Sequence, residues 1–283
     1  MPDNRVLFSA FAYTVKIMEV PIYQVDAFTS RQFGGNPAAV CPLDFWLPAQ
    51  TMQAIALENN LAETAFVVPE GDRFGLRWFT PAIEIDLCGH ATLAAAYVLS
   101  EYRGVAGNRI VFDSRSGELI VTRAADGRLT LNFPSLPADR VDPPARLIEG
   151  LGTQPLEILG VKDFYLVVYP SEQDIRTLQP NMEALRSLDR FGIIVTARSS
   201  EPDIDFVSRF FAPGAGIDED PVTGSAHCTL TPYWSQRLNK KVMAARQISP
   251  RGGELWVENA GDRILISGHV APYLKGTITI DNA

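Results

Sequence analysis

Three short polar stretches, each set against apolar neighbours, carry the residue types that proton-transfer chemistry needs. Leu61-Ala62-Glu63-Thr64-Ala65-Phe66 places a carboxylate at the entrance to an apolar strand. Such a residue is unusual in a core unless it is paired or used, and a buried carboxyl there suits proton transfer. The alternative is an ordinary strand-start glutamate facing solvent. Asp86-Leu87-Cys88-Gly89-His90-Ala91-Thr92 leads into an apolar run. Gly89 permits a tight turn, and the backbone N–H groups from Gly89 onward are free donors at a helix start, suited to an anion such as a carboxylate. His90 can donate a hydrogen bond or carry a proton, and a helix start favours the Cys88 thiolate. The plain alternative is a histidine that caps the helix and a cysteine that packs. Asp218-Glu219-Asp220-Pro221-Val222-Thr223-Gly224-Ser225 is the third stretch. It sets carboxylates ahead of Thr223, Gly224 and Ser225 at a second helix start, where acidic residues also simply complement the helix dipole.

A repeat links the second and third stretches. Arg77 to Tyr102 and Arg209 to Leu238 both run through Phe-x-Pro (Phe79/Pro81 and Phe211/Pro213), then Ile-Asp, a polar turn with a glycine, and an apolar helix. The echo returns downstream, with Gly117-Glu118-Leu119 against Gly253-Glu254-Leu255. A half-domain repeated once predicts two related domains. Gly89-His90 and Gly224-Ser225 then occupy equivalent places, where two helix starts can meet one ligand.

Those sites need a folded frame, and 283 residues suit two domains. With 46% hydrophobic and 20% charged residues the chain reads as globular rather than disordered. A net charge of −8 and no Lys/Arg run exclude a basic nucleic-acid footprint. No apolar stretch reaches the ~20 residues of a membrane span. Three cysteines make no disulfide framework, so a reduced cytoplasmic setting is expected. Cys88-x-His90 is not a zinc spacing, and Gly34-Gly35-Asn36-Pro37 reads as a turn that lacks the dinucleotide fingerprint. No metal or cofactor is therefore expected.

Residues 1–17 read as a disordered extension, because strand alternation begins at about Met18. Helices are expected over 48–60, 90–101, 182–188 and 225–238, the last interrupted near Thr231-Pro232. Strands account for most of the rest, with Asp126-Gly127 as a hairpin turn. The Pro-rich segment Phe133–Pro144 marks a boundary. The expected fold is α+β, with two similar domains over 18–135 and 136–274. Each is a largely antiparallel sheet wrapped on a central apolar helix, with a cleft between them where the two helix starts can meet a ligand.

Four motifs in order carry a resemblance. They are YQVDAFTSRQFGGNPAAVCPL (23–43), LAETAFV (61–67), FTPAIEIDLCGHATLA (79–94) and FFAPGAGIDEDPVTGSAHC (210–228). They resemble the PhzF family of phenazine-biosynthesis-like isomerases across essentially all of residues 18–283. The resemblance implies a diaminopimelate epimerase-like fold: two similar domains, each a barrel-like sheet around a central helix, with the active site between them and a C-terminal strand, here 275–283, that returns to the first domain. It also implies a homodimer and no cofactor or metal. It assigns Glu63 as general acid/base, with His90 and Asp220 as its catalytic partners. Gly89, Gly224, Ser225, Thr223 and Cys88 fall at the substrate-binding positions. Diaminopimelate epimerase uses a cysteine at each helix start; here Cys88 stands near the first, and the second offers Thr223 and Ser225. The reading is a cofactor-independent isomerase moving a proton on a small carboxylic acid. The alternatives are an amino-acid epimerase or racemase using Cys88, and a small-molecule-binding protein without turnover.

Overall fold

The computed structural model describes residues 16–282. Most of the expected extension lies outside them, but Lys16 and Ile17 already pair with Asn282 and Asp281. The first strand therefore begins before Met18.

Eighteen strands form one hydrogen-bonded network with few helices, a mixed α/β architecture. Pairing is mostly antiparallel. The exceptions include Asn36–Pro42 on Glu63–Glu70, and Phe164–Val168 on Gly192–Arg198, which run parallel. The strand Val270–Asn282 returns to Lys16–Ala27 along its whole length, starting five residues earlier than the sequence suggests. Arg263–Gly268 pairs with Leu129–Pro134, a second seam between early and late chain.

Two central helices anchor this network, Gly89–Tyr102 and Gly224–Leu238. Half of the first is Ala, Leu and Val, and Ala91 through Ala96 and Val98 are fully buried. A helix apolar on every side must be surrounded, and small alanines let strands approach closely. Ala95→Leu would overpack this contact and cost about 1–3 kcal/mol. One apolar cluster runs through both helices, joining Leu93 and Trp78 with Phe206, Trp234 and Leu255.

The second helix is continuous through Pro232, contrary to the expected interruption. Proline lacks the N–H that would satisfy the Cys228 carbonyl four residues back. Leu136 N–H donates to that carbonyl instead, at 3.0 Å. The Pro-rich segment thus supplies the bond that the helix lacks.

The sequence repeat reappears as a matched pair of ion pairs ahead of the helices. Arg77 forks onto Glu84 at 2.6 and 2.8 Å, and Arg209 onto Glu219 at 2.8 and 2.9 Å. Each guanidinium also lies over the next-but-one phenylalanine, Phe79 or Phe211. Bidentate pairs fix both position and angle, so each half holds the short strand before its helix in the same way.

Candidate active site

Five element ends converge on one place. Asn36 opens the strand Asn36–Pro42, and Glu63 opens the parallel strand beside it, in register with Ala38. Cys88 and Thr223 are the N-caps of the two central helices, and Asp220 ends the strand Ile217–Asp220. The helix starts are in contact: a Cβ built on Gly89 would sit 3.8 Å from Gly224 Cα. Neither start has a side-chain cap.

Glu63 is 9% exposed and His90 6%, so the solvent-facing alternative for Glu63 does not hold. Glu63 Oε2 approaches His90 Nε2 to 3.0 Å. The contact is off the line of a hydrogen bond, and neither buried atom has another partner among the described residues. Catalytic contacts in ligand-free sites are commonly misaligned in this way. On the other side of the ring, His90 Nδ1 lies 3.5 Å from Cys88 Sγ. Thiol, imidazole and carboxylate thus form one compact buried cluster.

Burial disfavours the His90 cation, but the neighbouring sulfur and carboxylate outweigh it and hold the imidazole well above its ordinary range. Burial and Glu63 push the Cys88 thiol up, against the opposing pull of His90. Burial raises Asp220 to about 6, against the charge of His90 and the Thr223 hydroxyl that lower it.

Asn36 ties these groups together, and the sequence reading passed over it as part of a turn. It is completely buried, and its Nδ2 donates to Asp220 Oδ1 at 2.8 Å and to the Val222 carbonyl at 2.9 Å, with His90 Nδ1 at 3.3 Å. A carbonyl can only accept, so the Val222 contact fixes which way the amide faces. The local sequence explains the placement. Pro37 biases Asn36 toward extended backbone. Gly35 adopts φ +60, and a Cβ there would meet the Ala27 carbonyl at 2.1 Å. Arg251, from the other half of the chain, clamps this turn through the Gly34 and Gly35 carbonyls and Asp26. An asparagine between a glycine and a buried apolar strand was the signal available in the sequence.

On the second helix start, the Thr223 hydroxyl donates to Asp220 Oδ2, and Gln247 brackets Thr223 and the Asp220 carbonyl. Ser225 is exposed at the mouth. All the residues selected from sequence therefore gather here: Glu63, Cys88, Gly89, His90, Asp220, Thr223, Gly224 and Ser225. Gln247 and Arg251 are additions from elements that carried no motif.

Donor atoms of Glu63, Cys88 and His90 lie within 4.8 Å of one another. The thiol and carboxylate, however, address opposite nitrogens of a single imidazole. No helix among the described residues is long and apolar enough to cross a membrane.

Similarity to known proteins agrees with this architecture. An uncharacterized isomerase from Pseudomonas aeruginosa is 52% identical over 93% of this chain and 100% of its own length. The crystal structure of a PhzF family protein from Enterococcus faecalis superposes with a TM-score of 0.89 at 46% identity, over 92% of this chain and 99% of that one. A hydroxyproline epimerase from Agrobacterium vitis shares the fold alone, with a TM-score of 0.60 at 11% identity over 93% of each chain. A model of the phenazine biosynthesis-like proteins matches residues 25–276, and the chain belongs to that family, PhzC–PhzF.

Proposed function

We propose that this protein is an isomerase that moves a proton on a small carboxylic acid by general acid/base catalysis. The observation that carries the reading is Glu63, buried 3.0 Å from His90 beside two uncapped helix starts. The substrate carboxylate binds at the N–H groups of Gly89 and Gly224, whose free donors and positive dipole ends favour an anion. Glu63 takes a proton from one carbon of a conjugated system and returns it to another, so no net oxidation occurs and no redox cofactor is called for. The His90 cation stabilises the charge that develops between the two transfers. Asp220, ionised above about pH 6, accepts a hydrogen bond from a substrate amine or hydroxyl. Thr223 and Ser225 line the second helix start.

In this reading the two similar halves, each a barrel-like sheet around its helix, close over the substrate and exclude water from Glu63. The low exposure of Glu63 and His90 supports such a cycle of opening and closure. Isomerase relatives in the family support the reaction class. We place the protein in the cytoplasm, since its three cysteines are all free and buried. We also propose a homodimer. Val270–Asn282 pairs only with Lys16–Ala27 among the described residues, and its exposed Tyr273 and Leu274 offer an edge for a second copy.

One observation favours a second reading, epimerisation with Cys88 as an acid or base: its sulfur contacts His90 at 3.5 Å. The matching helix start carries Thr223, so a two-thiol exchange lacks its second sulfur. Incubating the enzyme with candidate acids in D2O separates the readings. Deuterium at a new carbon with a shifted double bond supports the isomerase. Exchange only at an α-carbon, with inversion, supports the epimerase. Binding without exchange rejects both.

A further inference from the structure

A cleft of about 610 Å³ opens on the second half of the chain and shares no residue with the site above. Its size falls within the ~300–1,000 Å³ range of small-molecule sites. It lies along the second central helix, which starts at Gly224 in the candidate active site and carries Trp234 and Arg237 into the cleft. At 1.5 Å per residue the two places are about 15 Å apart along the helix axis.

The lining is positive in a chain whose net charge is −8. Arg140, Arg198 and Arg237 face it with a single carboxylate, Glu157. Arg237 is engaged already: it pairs with Glu157 and lies over the Tyr233 ring, whose hydroxyl donates to the same carboxylate at 3.0 Å. Arg140 and Arg198 pair through their backbones, but their guanidiniums have no ion pair or hydrogen bond among the described residues. The floor is apolar and fixed. Leu159 and Val168 lie in strands, and Trp234 stacks on Phe206 while its indole N–H donates to Thr196 at 2.9 Å.

Unpaired guanidiniums above a rigid apolar floor match a ligand with an anionic end and an apolar body. We propose that this cleft is a second ligand site, taking a small apolar carboxylate. The carboxylate is held by Arg140 and Arg198, and the body rests on Leu159, Val168 and Trp234. The planar fork of arginine suits carboxylate recognition.

The test uses 4-fluorobenzoate as the probe, followed by fluorine NMR on the full chain, with 4-fluorobenzamide as the uncharged control. Arg140 and Arg198 are exposed, so the double variant Arg140→Ala/Arg198→Ala should fold, and an unchanged melting temperature checks this. The expected result is saturable binding of the benzoate, no binding of the amide, and a Kd at least tenfold weaker in the double variant. The double variant separates this cleft from the catalytic one, because it leaves the helix starts at Gly89 and Gly224 unchanged. Equal binding by the double variant, equal binding of the amide, or no binding at about 10 mM probe, well above a ~1 mM fragment Kd, would each overturn the proposal.

Discussion

Replacing Asn36 by leucine, which keeps the branch at Cγ, removes a buried side chain that bonds across both halves of the candidate site. The loss can be worked through bond by bond. The bond to Asp220 is charge-assisted and contributes about 1.5–3 kcal/mol, and stranding the buried Val222 carbonyl costs about 1–3 kcal/mol. The wild-type amide oxygen has no partner, so leucine recovers about 1 kcal/mol of that. The net destabilisation is about 3 kcal/mol, which lowers the melting temperature by roughly 6–12 °C for a chain of this size. A second effect is electrostatic. The Asn36 amide lowers Asp220, so without it Asp220 rises above about 6. Differential scanning calorimetry measures the first effect, and the pH dependence of kcat/KM the second, as an acid limb moved to higher pH. A melting temperature within 2 °C of wild type, together with an unmoved limb, would refute the account of Asn36.

Cys88→Ser should retain activity to within about tenfold, since the thiol stays protonated and the second helix start has no thiol; complete loss in steady-state assays would favour the epimerase reading. His227 is buried, with its ring lowered to about 4 by burial, against the Thr223 carbonyl that raises it. Its unfolded form binds a proton below about 6.5 and its folded form does not, so its contribution is complete above pH 6.5. It is then lost as pH falls toward 4, by about 3 kcal/mol. Urea midpoints at pH 7 and pH 4 should therefore fall further for wild type than for His227→Gln, and parallel losses would contradict this. Arg209→Met breaks the fork onto Glu219 and its bonds to the Ile175 and Leu178 carbonyls. It should cost about 2–4 kcal/mol by urea titration, and a change under 0.5 kcal/mol would show that the repeated pair does not fix the helix approach.

The helix starts were legible in the sequence because glycine and polar residues before an apolar run have few other uses, and the repeat placed both at equivalent positions. Glu63 was legible as a carboxylate entering an apolar strand, although its burial was not: the alternation of Leu61–Phe66 does not say which face is covered. Asn36 escaped because its neighbours, two glycines and a proline, read first as a turn, and its partners Asp220 and Val222 lie some 184 residues away. Arg251 acts across 216 to 225 residues, and Gln247 across only 24 to 27, but neither sits in a motif. The continuity of the second helix was illegible for a related reason. Pro232 argues locally for a break, and the N–H that rescues the helix comes from Leu136, within a segment whose prolines suggested only a linker.

The account rests on Glu63 as the group that carries the proton. The most direct test is Glu63→Gln, with deuterium incorporation from D2O into an acid that the wild-type enzyme isomerises, read by mass spectrometry alongside the melting temperature. Glutamine preserves size and the contact beside His90 and cannot serve as the acid/base. The account predicts an intact fold and exchange slowed by roughly 10²–10⁴-fold or more. Exchange at a rate near that of wild type, in a variant that melts normally, would contradict it.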